Sequence, residues 1–171
     1  MPNLHFSTFC LLLALLPLPI LAAPPAAGLQ VVGAVAKPAS DLPSALRGQF
    51  QGSLQAITYA RRGVKHTAHA VPLWAVLQAA QPRINPQIKN HVLQFVVLVS
   101  GQDGYTAAFS FGELAPAFGN KPVWLAVDED GHPLGEAADG GVDLVVPDDV
   151  KAGRWVHSIK RLFVVDEAGR G

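Results

Sequence analysis

The chain has 171 residues, 13 Lys and Arg against 13 Asp and Glu, and a single Cys. Zero net charge excludes the basic balance of a general nucleic-acid binder, and a half-apolar composition excludes a disordered chain. The first 27 residues hold no Asp, Glu, Lys or Arg, so every such charge falls in the rest, which is long enough for one domain with a core and too short for two.

Residues 9–23 read FCLLLALLPLPILAA, an apolar run broken by Pro17 and Pro19 and followed by small residues. A spanning helix needs about 20 apolar residues, and two internal prolines remove helical hydrogen bonds. The pattern predicts a secretory signal over residues 1–27, cleaved within about 22–27, and a periplasmic or secreted domain over 28–171 with no membrane segment left. A retained anchor is the competing reading, because the first eight residues hold no Lys or Arg. Cys10 lies inside the run, so cleavage leaves no disulfide, no thiolate nucleophile and no thiolate metal ligand.

In the mature chain, LQVVGAV (29–35) predicts a strand ended by Lys37-Pro38. Ser40 or Asp41 then caps a short helix stopped by Gly48. SLQAITYA (53–60) alternates as a half-buried strand, Arg61-Arg62-Gly63 turns, and VKHTAHAV returns as its partner. Pro72 opens a helix whose Leu73, Val76 and Leu77 form one apolar stripe. VLQFVVLVS (92–100) is nearly all apolar and predicts a central strand. The turn at 101–104 leads to the strand YTAAFSF, and a short helix runs through Glu113, Leu114 and Phe118. PVWLAVDEDG (122–131) is a strand ending at the Asp130-Gly131 turn, and VDLVVP (142–147) and RWVHSIKRLFVVD (154–166) are the last two strands. Strands dominate and helices are short, which predicts an α+β fold with mixed or antiparallel β-sheets.

Charge is uneven along the chain. Residues 28–100 hold seven Lys and Arg and one acid, while residues 101–171 hold six against twelve. This allows two complementary faces, or an anion-binding surface around Arg61, Arg62, Lys65, His66 and His69.

Several landmarks share an order and spacing. They are Val71-Pro72-Leu73 at a helix start, Asp103-Gly104-Tyr105 at a strand start, Ala126 through Gly131-His132-Pro133-Leu134, and Val146-Pro147 through Arg154-Trp155-Val156-His157-Ser158-Ile159. Over residues 54–165 the chain thereby resembles the sulfite-oxidase-type molybdopterin-binding domain. The resemblance implies a sulfite-oxidase molybdopterin-binding-domain-like α+β fold and a molybdopterin whose phosphate is held by basic residues. Active members of that family ligate molybdenum with a Cys between the early strand and the Val-Pro-Leu helix. Here that stretch, ITYARRGVKHTAHAVPL (57–73), has no Cys. Thr, His and Ala cannot supply the soft thiolate.

Arg154 and His157 fall at the Arg and Lys positions of the family's Arg-x-Val-Lys ending, where they could grip a phosphate or other anion. Arg154 either forks onto an anion or pairs with Asp148 or Asp149, and His157 is either a pH-dependent donor or a plain strand residue. His66 and His69 lie three apart, on opposite faces of a strand, without the closed ligand set of a metal site. Asp103-Gly104 makes a turn on which Tyr105 packs, the three Trp are core anchors with one at a pocket, and Asp128 to Asp130 form a solvated hairpin tip. The expectation is an exported, non-catalytic module that binds a small anionic ligand or a partner protein. Its candidate binding residues are Arg154, His157, Arg61, Arg62 and His66, in a cleft between the basic half and the Arg154 strand. The alternative is an oxidoreductase or electron-transfer subunit that holds molybdopterin without a Cys ligand. A purely structural interaction protein is the third reading.

Overall fold

The computed structural model describes residues 28–40, 42–134 and 141–170. The expected signal segment and Cys10 lie outside the described residues. Strand β1 (Gln30–Gly33) precedes helix α1 (Leu42–Gln49), which runs one residue past Gly48. Strands β2 (Gln55–Arg61) and β3 (Val64–Pro72) form a hairpin, and α2 (Leu73–Ala79) follows at once. Pro72 ends β3 and flanks α2, and Leu73, Val76 and Leu77 are the buried face of that helix. Strand β4 (Phe95–Gly101) pairs with β5 (Thr106–Ser110), after which come α3 (Phe111–Leu114) and β6 (Trp124–Ala126). The last strands are β7 (Asp128–Glu129), β8 (His132–Pro133), β9 (Asp143–Val145) and β10 (Ile159–Asp166).

These strands make two four-stranded sheets and one small hairpin, a mixed α+β architecture. One sheet has the order β1-β10-β4-β5, with only the β1–β10 pair parallel. The other runs β2-β3-β6-β9 and is antiparallel throughout. Alternation explains the packing. Val97 and Val99 of β4, Leu162 and Val164 of β10 and Phe109 of β5 are fully buried, and they join Ala70, Leu125 and Leu144 of the second sheet in one apolar cluster. Each such Leu, Val or Phe stabilises the fold by about 1.5–3 kcal/mol relative to exposure.

Three expected elements shift. The predicted strand from 92 begins at Phe95, because His91–Gln94 is a 3-10 turn in which His91 is buried and its Nδ1 accepts from the Asn85 N–H at 2.8 Å. The helix expected through Phe118 is only four residues long, and Phe118 is exposed. Ser110 starts that helix, its hydroxyl accepting from the Glu113 N–H. The strand expected from Arg154 begins at Ile159. Residues 152–154 form a 3-10 turn, and Ser158 takes a φ of +46°, which breaks the extended run. The carboxylate of Asp143 holds that corner, accepting from the Ser158 N–H at 2.8 Å.

Two tight hairpins position the site. Arg62-Gly63 joins β2 to β3 with φ of +52° and +80°, and Asp130-Gly131 joins β7 to β8 with +50° and +83°. Positive φ at both central residues is the two-residue turn that matches strand twist, and the second position suits Gly because it has no Cβ to clash. The second hairpin lies along β3: Val127 N–H donates to His69 O at 2.9 Å and Asp130 N–H to Thr67 O at 2.8 Å. Three acids of the negative half are thereby laid against the basic strand.

Candidate functional site

The expected solvated tip at Asp128–Asp130 is instead a set of engaged carboxylates. Asp128 is buried, and its two oxygens accept from the His69 N–H at 2.6 Å and face His69 Nδ1 at 2.9 Å. Arg47 reaches over from α1, donating to Val127 O at 2.9 Å. Glu129 accepts from the Tyr59 hydroxyl on one oxygen and from Arg61 at 2.5 Å on the other. Asp130 accepts from the Thr67 N–H at 2.9 Å and lies 2.8 Å from His66 Nδ1. The correction has a backbone cause: the hairpin runs beside β3, where donors are waiting.

Ionisation follows from these partners. Burial, then the hydrogen bond to Glu129 and its charge, push the Tyr59 phenol well above its ordinary value, so it stays a donor. Burial would raise the Glu129 carboxyl, but hydrogen bonds from Tyr59 and Arg61 outweigh it and hold Glu129 below the usual range. The Thr67 N–H, then His66, hold Asp130 low.

Beside this network opens a pocket of about 870 Å³, whose walls include Arg61, Arg62, His66, Glu129, Asp143, Trp155 and His157. The strand β2 supplies Arg61, the tight turn supplies Arg62, β3 supplies His66, and the kinked corner before β10 supplies His157. Trp155 is buried, donates its indole N–H to Val146 O at 3.1 Å, and meets Tyr59 edge-on at 5.2 Å. Tyr59 in turn stacks on His66 at 5.7 Å. Asp103 and Tyr105 also line the pocket. Asp103 does make the expected turn, accepting from the Tyr105 N–H at 2.9 Å. Tyr105 does not pack as expected: it is half exposed and its hydroxyl donates to Gly153 O. A hydroxyl that reaches the 152–154 turn satisfies the phenol at the surface.

Of the five residues singled out in the sequence, four line this pocket and Arg154 does not. Arg154 forks onto Asp149 through Nε at 2.8 Å and Nη2 at 2.7 Å, donates from Nη1 to Glu113 at 2.8 Å, and lies over the Phe109 ring. The hydrogen bond from Arg154 holds the Asp149 carboxyl below its ordinary value, and Asp149, followed by Glu113, raises Arg154 in return. Its expected cleft with the basic half is therefore corrected: every terminal nitrogen of that guanidinium already has a carboxylate. His157 sits 2.6 Å from Asp143 Oδ2 and keeps most of its ring in solvent. Arg61 is held by Glu129. Among the described residues no carboxylate pairs with Arg62, which is exposed. Lys65, also in the expected basic surface, points away with the exposed face of β3, and so does His69, though Asp128 holds its ring.

His66, Glu129 and Asp130 bring three potential metal donors within 4.8 Å of one another. Each already has a hydrogen-bond partner, and Arg61 occupies the Glu129 oxygen that faces His66. A cation would have to displace a guanidinium there, so the cluster is built as a hydrogen-bonded wall. Sequence reasoning missed Tyr59, Glu129 and Asp143 as site residues. The signal for Glu129 was present, since Asp130-Gly131 repeats the turn chemistry of Arg62-Gly63 and marks a second hairpin. Nothing local marks Asp143, whose role arises only when residues 157–158 fold back onto β9. No protein-family model matches the chain, and no curated protein matches it.

Proposed function

We propose that this chain is an exported, non-catalytic binding module that takes a small oxyanion in the pocket beside the Arg62 turn, on a fold related to the sulfite-oxidase-type molybdopterin-binding domain. One observation carries the binding reading: Arg62 is the pocket guanidinium with no carboxylate partner among the described residues, while Arg61 and His157 are committed to Glu129 and Asp143. An uncommitted guanidinium offers a fork of N–H donors matched to a planar or tetrahedral oxyanion. Trp155 and Tyr105 line the same pocket.

The pocket does not fit a molybdenum centre held by the protein. Its possible ligands are imidazole, carboxylate and phenol, set among guanidiniums that bind no metal, and no described residue is a Cys. No thiolate among the described residues can complete the coordination that oxo-molybdenum chemistry takes in the resembled family. No step of the proposed function runs through that group.

Titration calorimetry with sodium sulfate tests the reading. Wild-type protein should bind, and Arg62→Ala should weaken binding about tenfold or more, the loss of one charge-assisted contact. Absence of heat with sulfate, phosphate and molybdate alike overturns the anion reading. Elemental mass spectrometry on protein from its native compartment tests the non-catalytic part, and stoichiometric molybdenum overturns it.

A further inference from the structure

The charge of the pocket wall is set by two imidazoles. Two guanidiniums, Arg61 and Arg62, face three carboxylates, Asp103, Glu129 and Asp143, so with neutral histidines the wall carries one negative charge in excess. His66 and His157 are the remaining ionisable groups of consequence. Protonating both leaves the lining with one positive charge in excess, and brings it to neutrality when Asp130, 2.8 Å from His66, is counted with it. We propose that oxyanion capture here is proton-coupled: His66 and His157 take up protons as the anion enters, so the pocket loads in mildly acidic medium and releases in neutral medium. The proposal rests on the anion reading above and deepens it to regulation.

The surroundings of each ring favour this. His66 faces Asp130 at 2.8 Å and Glu129 at 3.7 Å from the β7–β8 hairpin, and Tyr59 from β2 stacks on it, with Arg61 beyond Glu129. His157 faces Asp143 of β9 at 2.6 Å, and Asp103, Tyr105, Arg61 and Arg62 line the same pocket. Each imidazole therefore has a carboxylate on Nδ1 that suits the doubly protonated ring, and the guanidiniums oppose that charge until an anion screens them. Imidazole is the side chain whose ordinary ionisation falls between about pH 5 and 8. An anion bound between Arg62 and the two rings stabilises the protonated forms, and linkage requires that acid then strengthen the anion.

Sulfate is the probe, because it does not titrate in this range and any proton taken up must land on the protein. Calorimetry at pH 6.5 in two buffers of different ionisation enthalpy counts protons. The expected result is an uptake of about 0.5 to 2 protons per sulfate, and an affinity about tenfold or more higher at pH 5.5 than at pH 7.5. The double variant His66→Gln, His157→Gln should bind weakly with no uptake. Because that variant loses the Tyr59 stack, 15N spectra of the wild-type imidazoles give an independent reading: both should titrate at higher pH with sulfate present. Sulfate binding with equal affinity at both pH values and no uptake overturns the coupling and leaves the anion reading standing. No binding at either pH overturns both. Uptake that persists in the folded double variant, or imidazole shifts that ignore sulfate, overturns the assignment to these two rings.

Discussion

Arg154 and Arg62 are the same residue in opposite circumstances. Arg154 spends its guanidinium on Asp149 and Glu113 and lies over Phe109, joining the 152–154 turn to α3. Arg62 stands in the left-handed region of a two-residue turn, exposed and without a carboxylate among the described residues. The first arrangement is what stability produces, because each of the three guanidinium nitrogens donates to a carboxylate of the protein. The second costs the fold something, since any residue that carries a Cβ is poorly suited to positive φ. What separates a structural arginine from a candidate binding arginine here is the supply of partners, which residue identity does not reveal.

The largest expected effect removes the floor of the Arg154 site. Phe109 is fully buried in β5, so Phe109→Ala should lower unfolding free energy in urea by about 3–5 kcal/mol through lost burial and the cavity left behind. Sulfate affinity of the folded fraction should stay within about twofold, because Phe109 does not line the pocket. A matched loss of affinity would merge the two regions and break the comparison. Next in size, Arg154→Ala should cost about 1–2 kcal/mol, a charge-assisted network discounted for a side chain 34% exposed. It too should leave sulfate binding intact.

A pH series sharpens the same contrast. Asp149 and Glu129 are both held below their ordinary values of 3.8 and 4.5, so each contributes stability that is present above the unfolded value and lost as pH falls through the folded one. Stability should fall from about pH 4.5 downward, each group adding a slope of at most about 1.4 kcal/mol per pH unit. In Arg154→Ala the Asp149 share of that slope should shrink to what Lys121, 3.1 Å from Asp149, still supplies, while in Arg62→Ala the slope should be unchanged. Urea midpoints measured between pH 5 and 2.5 distinguish the two variants.

How much of this was legible depends on the range of the interaction. Alternation made β2 readable, the turn after it marked β3 as its partner, a nearly continuous apolar run marked β4, and helical spacing marked the α2 stripe, because those residues answer to local burial. The two-residue turns were readable from Arg62-Gly63 and Asp130-Gly131, since Gly at that position has few other uses. The break at Ser158 was hidden, because RWVHSIKRLFVVD alternates like one strand and only the remote Asp143 carboxylate bends it. The saturation of Arg154 needed Glu113, 41 residues away, as well as its near neighbour Asp149. The engagement of Asp128 to Asp130 required knowing that their hairpin runs beside β3 rather than into solvent. Contacts between carboxylates and donors at long separation decide the site, and composition shows only that the charges are there to be paired.

The smallest effect on stability is the sharpest test of the contrast. If Arg62 is kept for binding, a residue better suited to its turn should make the protein more stable and less able to bind. Asn at the first central position followed by Gly is the strongest pairing for a two-residue hairpin loop, because Asn tolerates the left-handed region. Arg62→Asn should therefore raise unfolding free energy by about 0.5 kcal/mol while weakening sulfate about tenfold or more. Thermal and urea melts, set beside calorimetry on the same sample, read both quantities. A gain in stability with full retention of binding would make Arg62 a turn residue like any other. A loss of stability would show that its guanidinium is already committed within the fold, as that of Arg154 is, and the two arginines would no longer differ in kind.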